Sequence, residues 1–175
     1  MELEKRISSK RIYEGNVLNL RVDEVKVENG KTASREVVEH RGAAAIVPIL
    51  ESGDVILVRQ YRYPIQSDLL EIPAGTLRAN EDPGACAMRE LEEETGYRCR
   101  EIAKMLECFV APGYSTEKIH IFLAKGLTKT QTKMDEDECI DIERVPFPDA
   151  LGKIRNGEIR DAKSIVGLHA AAPLL

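Results

Sequence analysis

Residues 75–97 read GTLRANEDPGACAMRELEEETGY, and six of these side chains are carboxylates: Glu81, Asp82, Glu90, Glu92, Glu93 and Glu94. The flanks predict a helix over 83–95. Asp82 suits the N-cap, and Pro83 suits the first helical position, where a missing N–H costs nothing. Ala, Met, Arg, Leu and Glu, all strong helix formers, fill most of the span, which contains one glycine. Gly96 then stands where a finished helix favours glycine.

Spacing on that helix decides the chemistry. Glu90 and Glu94 are four residues apart and Glu93 is three from Glu90, so all three share one side. Gly84, Met88, Leu91 and Thr95 fall on another side and are expected to face a core. Arg89 precedes Glu93 by four and can pair with it. Exposed like charges at this spacing cost roughly 0.2–0.5 kcal/mol per pair. Enclosed at an effective dielectric near 20, two carboxylates about 6 Å apart repel by about 3 kcal/mol. A divalent cation reverses that sign. Hard oxygen ligands with no adjacent histidine suit Mg2+ or Mn2+ better than Zn2+. Glu92 points away from Glu90 and Glu94 and is expected to be a solvated surface charge.

At 175 residues the chain is one domain by size, long enough to bury a substantial core. Its 43% hydrophobic and 31% charged residues are ordinary for a globular protein. The net charge of −5 argues against a broad nucleic-acid or anionic-membrane surface. A small anionic substrate held by a metal and a few arginines is still compatible with it. No apolar run approaches the ~20 residues that span a bilayer. The N-terminal MELEKRISSKR is charged and lacks the apolar region of a secretory signal. Cys86, Cys99, Cys108 and Cys139 show no C-x-x-C spacing and read as free thiols, so the expected compartment is the cytoplasm. His40, His120 and His169 are scattered without nucleophile–base spacing.

Taken in order, residues 11–40 predict an antiparallel ribbon that turns at Asn29-Gly30. Residues 42–50 and 54–60 predict a second strand pair, followed by Arg62 between two tyrosines and a short apolar strand around Glu71. Residues 102–110 and 118–124 read as strands joined by APGYSTE; polar residues 129–133 are expected to be mobile. After the acidic cluster 135–138, a strand runs through Ile140, Ile142 and Val145. Pro148 opens a short helix that stops at Asn156-Gly157, and Asp161 caps a last helix over 162–172. Many strands with a few helices give an α+β fold class.

The string Gly75-x5-Glu81-x7-Arg89-Glu90-Leu91-x-Glu93-Glu94-x-Gly96-Tyr97 resembles the signature of the Nudix hydrolases at every fixed position. Pro112, fifteen residues beyond Tyr97 in FVAPGYSTEKIHIFLA, resembles the ADP-ribose pyrophosphatase branch, as do TASREVVEH, VRQYR, LLEIPAG and GEIRDAKSIVGL. The resemblance covers nearly the whole chain. It implies an α/β/α sandwich around a mixed sheet, with residues 42–175 as the Nudix domain. Residues 1–41 would then be a β arm that serves dimerisation and walls the substrate pocket. An isolated two-stranded ribbon is marginal, which also favours a homodimer.

The resemblance further implies roles for individual residues. Glu90 and Glu94 are the main ligands of Mg2+ (or Mn2+), Glu93 is close by as ligand or catalytic group, and the Ala74 carbonyl completes the set. Glu81 supports the site or orients Arg89. The general base comes from the acidic loop: Glu136, with Glu138 as alternative base or further metal ligand. Arg62 and Arg35 meet phosphate or ribose oxygens, since guanidinium forks match such groups. Glu36 accepts from the adenine, and Glu117 joins the site on the loop after Pro112. The implied reaction splits ADP-ribose into AMP and ribose 5-phosphate. GDP-mannose or another nucleoside diphosphate sugar is the alternative within this chemistry, and a non-catalytic nucleotide sensor the alternative outside it. The retained Glu90, Glu93 and Glu94 argue against the sensor.

Overall fold

Strand-forming residues on either side of Asn29-Gly30 fold back on each other in the computed structural model, which describes residues 3–130 and 140–175. β1 (Glu4–Glu14), β2 (Leu18–Val27) and β3 (Thr32–His40) form an antiparallel sheet in that order, with Leu18 opposite His40 and Lys26 opposite Thr32. The ribbon was expected to begin at Arg11, but β1 begins at Glu4 and is exposed at every residue, so no apolar alternation marks it. Backbone pairing and charge hold it. Arg11 pairs with Glu39 across β2, Arg35 pairs with Glu4, and Arg21 lies 2.7 Å from Asp23 and 2.9 Å from Glu39. Residues 111–116 dock on the edge of β3: the Val38 N–H donates to Tyr114 O at 2.7 Å and the Thr116 N–H to Val38 O at 2.9 Å. The chain up to Gly42 and Phe109–Lys118 make one compact unit.

Ala43–Cys108 and Ile119–Leu175 make a second unit. Its strands are β4 (Ala43–Pro48), β5 (Asp54–Arg62), β6 (Ser67–Glu71), β7 (Ala74–Thr76), β8 (Tyr97–Arg98), β9 (Glu101–Phe109), β10 (Lys118–Lys125), β11 (Thr128–Lys129) and β12 (Ile140–Pro146). Three helices accompany them among the described residues: α1 (Pro83–Thr95), α2 (Phe147–Arg155) and α3 (Ala162–Ala171). The strands assemble in the orders β7-β4-β10-β9, β12-β5-β6 and β11-β8. β4 runs parallel to β10 and antiparallel to β7, so the central sheet is mixed.

β4, sequence AAAIVP, is buried at every residue because both its faces are covered. Ala43, Ala45 and Val47 point into a core with Leu57, Ile72, Phe147, Ala150 and Leu168, which brings in α2 and α3. Ala44 and Ile46 point the other way, onto Cys86, Ala87 and Leu91 of α1 and Phe122. Small alanines let a helix approach on each side. The result is the expected layering of helices on both faces of a mixed sheet. Two local expectations fail. Lys129 is not part of a mobile stretch but pairs with Tyr97, and Met88 is 44% exposed. The core-facing stripe of α1 is Cys86, Ala87, Leu91 and Thr95, rotated away from Met88.

Candidate active site on helix α1 and strand β7

α1 begins and ends as its flanks dictate. Asp82 Oδ1 accepts from the Ala85 N–H at 3.0 Å, and Gly96 takes a φ of 67° while its N–H reaches Glu92 O at 3.0 Å. Leu91, fully buried, contributes about 2 kcal/mol by burial. Anchored this way, α1 presents its carboxylates to β7. A Cβ on Gly75 would lie 1.9 Å from Glu90 Oε1, so only glycine lets the Glu90 carboxylate rest against the strand. One turn on, Glu94 is 4% exposed and its Oε2 accepts from the Ala74 N–H at 3.1 Å.

Arg89 stands among the remaining acids. Its Nε and Nη2 donate to Glu81 at 2.9 and 3.1 Å, and Nη1 donates to Glu93 Oε2 at 2.8 Å and to Glu90. The hydrogen bond from Arg89 pulls the Glu81 carboxyl down to about 2, slight burial opposes this, and the Arg78 N–H at 2.8 Å adds to it. Glu81 in turn is the main cause of the raised Arg89. Glu92, expected to be a solvated charge, is half-buried and 2.8 Å from Arg98.

The donors on this face are all oxygens. The nearest thiol, Cys86, is pushed up to about 12 by burial and stays a neutral packing group. That chemistry fits a hard divalent cation, for which Glu90, Glu93, Glu94 and the Ala74 carbonyl are the candidate holders. Among the described residues, no three His, Cys, Asp or Glu side chains already converge as a ligand cluster. Arg89 instead balances Glu81, Glu90 and Glu93.

A second charged group lies just upstream of β7 around Arg62; its other members, Glu71 and Lys163, were not singled out from the sequence as part of the site. Glu71 on β6 is 1% exposed; Arg62 Nε and Nη2 donate to its two oxygens at 2.8 and 2.7 Å, and Lys163 from α3 contacts the same carboxylate. Burial is the largest single influence on Glu71 and pushes it up, but Arg62 and Lys163 together outweigh it and the carboxyl is held below its ordinary range. The available signal was a lone glutamate inside Leu69-Leu70-Glu71-Ile72: a charge in a buried strand needs partners.

The other expected site residues are distributed as follows. Arg62 belongs to the second unit with the α1 carboxylates, and its charge lies within Coulombic reach of Glu94. Arg35, Glu36, Pro112 and Glu117 belong to the first unit. There Arg35 is paired with Glu4 and Glu36 is exposed opposite Val22. Pro112 sits in a turn closed by the Ser115 N–H on Ala111 O at 2.9 Å, and Glu117 lies 3.7 Å from His40. Glu136 and Glu138 lie outside the described residues.

Comparison with known proteins finds the following likenesses. Residues 39–166 match the family described as NUDIX domain, and residues 4–38 match the nucleoside diphosphate sugar hydrolase N-terminal domain. The chain is 40% identical over 168 residues to the methanol dehydrogenase activator of Bacillus methanolicus, covering 95% of this chain and 91% of that protein. The ADP-ribose pyrophosphatase of Bacillus subtilis aligns with the same identity and the same coverage. A GDP-mannose pyrophosphatase of Yersinia pestis is 34% identical over 160 residues, 85% of this chain and 80% of that one. Among solved structures, an ADP compounds hydrolase superimposes with a TM-score of 0.87 at 22% identity, over 98% of this chain and 94% of that one, which supports the fold.

Proposed function

Since the chain belongs to the Nudix hydrolase family, we propose that it hydrolyses the diphosphate bond of ADP-ribose and related ADP-sugars, releasing AMP and ribose 5-phosphate, with Mg2+ as its working metal. Nudix hydrolases generally use a divalent metal. The observation that carries the reading is the meeting of Glu90 and Glu94 with β7 at Gly75 and Ala74. The 40% identity to an ADP-ribose pyrophosphatase favours the ADP-sugar over the GDP-sugar, whose named relative stands at 34%.

A diphosphate resists attack because its anionic oxygens repel nucleophiles; bound Mg2+ supplies charge neutralisation and an acidified water. Glu90, Glu93, Glu94 and the Ala74 carbonyl would hold the cation, and Arg89, locked by Glu81, would keep Glu93 and Glu90 aligned for it. Arg62 meets a phosphate oxygen. A carboxylate of the acidic cluster 135–138, Glu136 with Glu138 as alternative, takes the proton from the attacking water. Arg35 meets a phosphate or ribose oxygen, Glu36 accepts from the adenine, and Pro112 and Glu117 are the further candidate substrate residues. Residues 1–41 act as a dimerising arm to the catalytic domain 42–175, in a cytoplasmic homodimer.

The test is a panel of nucleoside diphosphate sugars with Mg2+, read for AMP and GMP. Glu94→Gln abolishes turnover, while Glu136→Gln slows it with metal affinity retained. Equal rates on ADP-ribose and GDP-mannose would remove the substrate assignment. The identity to a methanol dehydrogenase activator favours a second reading, action on a dehydrogenase. A stoichiometric activator keeps its effect in the Glu94→Gln protein, and a hydrolase does not.

A further inference from the structure

We propose that Glu71 and Lys163 are positioning residues that aim the Arg62 guanidinium at the substrate diphosphate; this rests on the Arg62 role assigned above. Arg62 is the more accessible member of the group, its side chain 38% exposed against 1% for Glu71 and 11% for Lys163. Its Nε and Nη2 are both spent on Glu71, at 2.8 and 2.7 Å. Because the guanidinium is planar, that bidentate grip fixes the direction of the remaining Nη1 edge.

Glu71 is itself fixed from behind. Lys163 Nζ contacts Glu71 Oε2 and lies 3.0 Å from Asp161 Oδ2. Asp161 caps α3 through the Ser164 N–H at 3.0 Å and accepts from Ser164 Oγ at 2.6 Å. Ser164 Oγ accepts from the Ile72 N–H at 2.8 Å. The first turn of α3 therefore holds Glu71 by its side chain and Ile72 by its backbone, three and two residues before Ala74. The charges of Glu71, Asp161, Arg62 and Lys163 cancel.

Stability alone is a poor reason for this arrangement. A buried ion pair about breaks even against apolar residues of similar volume, and Glu71 sits between Leu70 and Ile72, where a leucine would pack. What a leucine lacks is a way to orient Arg62.

The charges make the idea testable, because field and aim predict opposite signs when Glu71 loses its charge. Glu71→Gln leaves the group one charge more positive, and Lys163→Met one more negative. A pure field effect lowers KM for an anionic substrate in the first and raises it in the second. Positioning raises KM in both, by about tenfold, the share of one charge-assisted hydrogen bond, with kcat little changed. Glu71→Asp keeps the charge but is too short to hold both partners, so it also raises KM, whereas Lys163→Arg restores it. The Kd for inorganic pyrophosphate, measured calorimetrically with Mg2+ on the same full-length proteins, follows KM. Thermal unfolding of each variant ensures that assays run on folded protein.

KM and pyrophosphate Kd unchanged in folded Glu71→Asp and Glu71→Gln, or lowered in Glu71→Gln, overturn the proposal. If neither Glu71 variant folds, an unchanged Kd in Lys163→Met overturns it. Wild type that binds pyrophosphate with the expected pattern of shifts yet cleaves no panel member sustains it and removes the substrate assignment instead.

Discussion

Gly75 matters for what it lacks. Its Cα lies so close to Glu90 that a methyl group would stand 1.9 Å from the carboxylate oxygen. Gly75→Ala must push either β7 or Glu90 aside. Since misplacing a catalytic group by about 1 Å costs on the order of 100-fold, turnover is expected to fall by about that factor while far-UV circular dichroism stays native. Glu81 contributes differently, through protonation. Its folded carboxyl titrates at about 2 against an ordinary 4.5, chiefly because of Arg89. A depressed carboxylate stabilises the fold above its unfolded value, and that contribution fades as pH falls from about 4.5 to about 2. Wild type is therefore expected to unfold at higher denaturant than Glu81→Gln at pH 7 in chelator, and the gap to narrow below pH ~4.5. A gap that does not change with pH would disprove this account of Glu81.

α1 was legible in advance because each of its signals is local: Asp82, Pro83 and Gly96 lie within a few bonds of the backbone groups they serve. Asp82→Ala removes the oxygen that accepts from the Ala85 N–H. It is expected to cost about 1 kcal/mol, a Tm loss of about 2–4 °C in calorimetry, with KM for metal raised because the same helix carries the ligands. β1 was not legible. Its residues are exposed throughout, and only pairing to β2 makes them a strand. Met88 shows the same limit on a helix: a stripe read from spacing can be turned by one position, and here Ala87, not Met88, packs with Ala44 and Ile46 of β4.

The largest expectations concern assembly. The first unit exposes a long polar strand, and residues 111–116 complete its β3 edge. As a homodimer the protein is expected to elute near twice its 19.5 kDa chain mass at micromolar concentration. Deleting residues 1–41 is expected to give a monomer with raised KM for ADP-ribose. Sizing by light scattering checks the first, steady-state kinetics the second, and a wild-type monomer would count against the arm as a dimerising element.

Patterns short in sequence could be read directly: the caps of α1, the Glu90, Glu93 and Glu94 face, the Asn29-Gly30 turn and the mixed set of strands and helices. Each depends on interactions between residues a few positions apart, and periodicity records those. Contacts between residues far apart in the chain could not. Glu71 meets Lys163 across 92 residues, Gly75 meets Glu90 through a strand-to-helix return, and β1 has no burial to announce it. A charge in an apolar run or a glycine in a motif marks a constraint without naming the partner, because only the folded backbone decides which distant group arrives at that point.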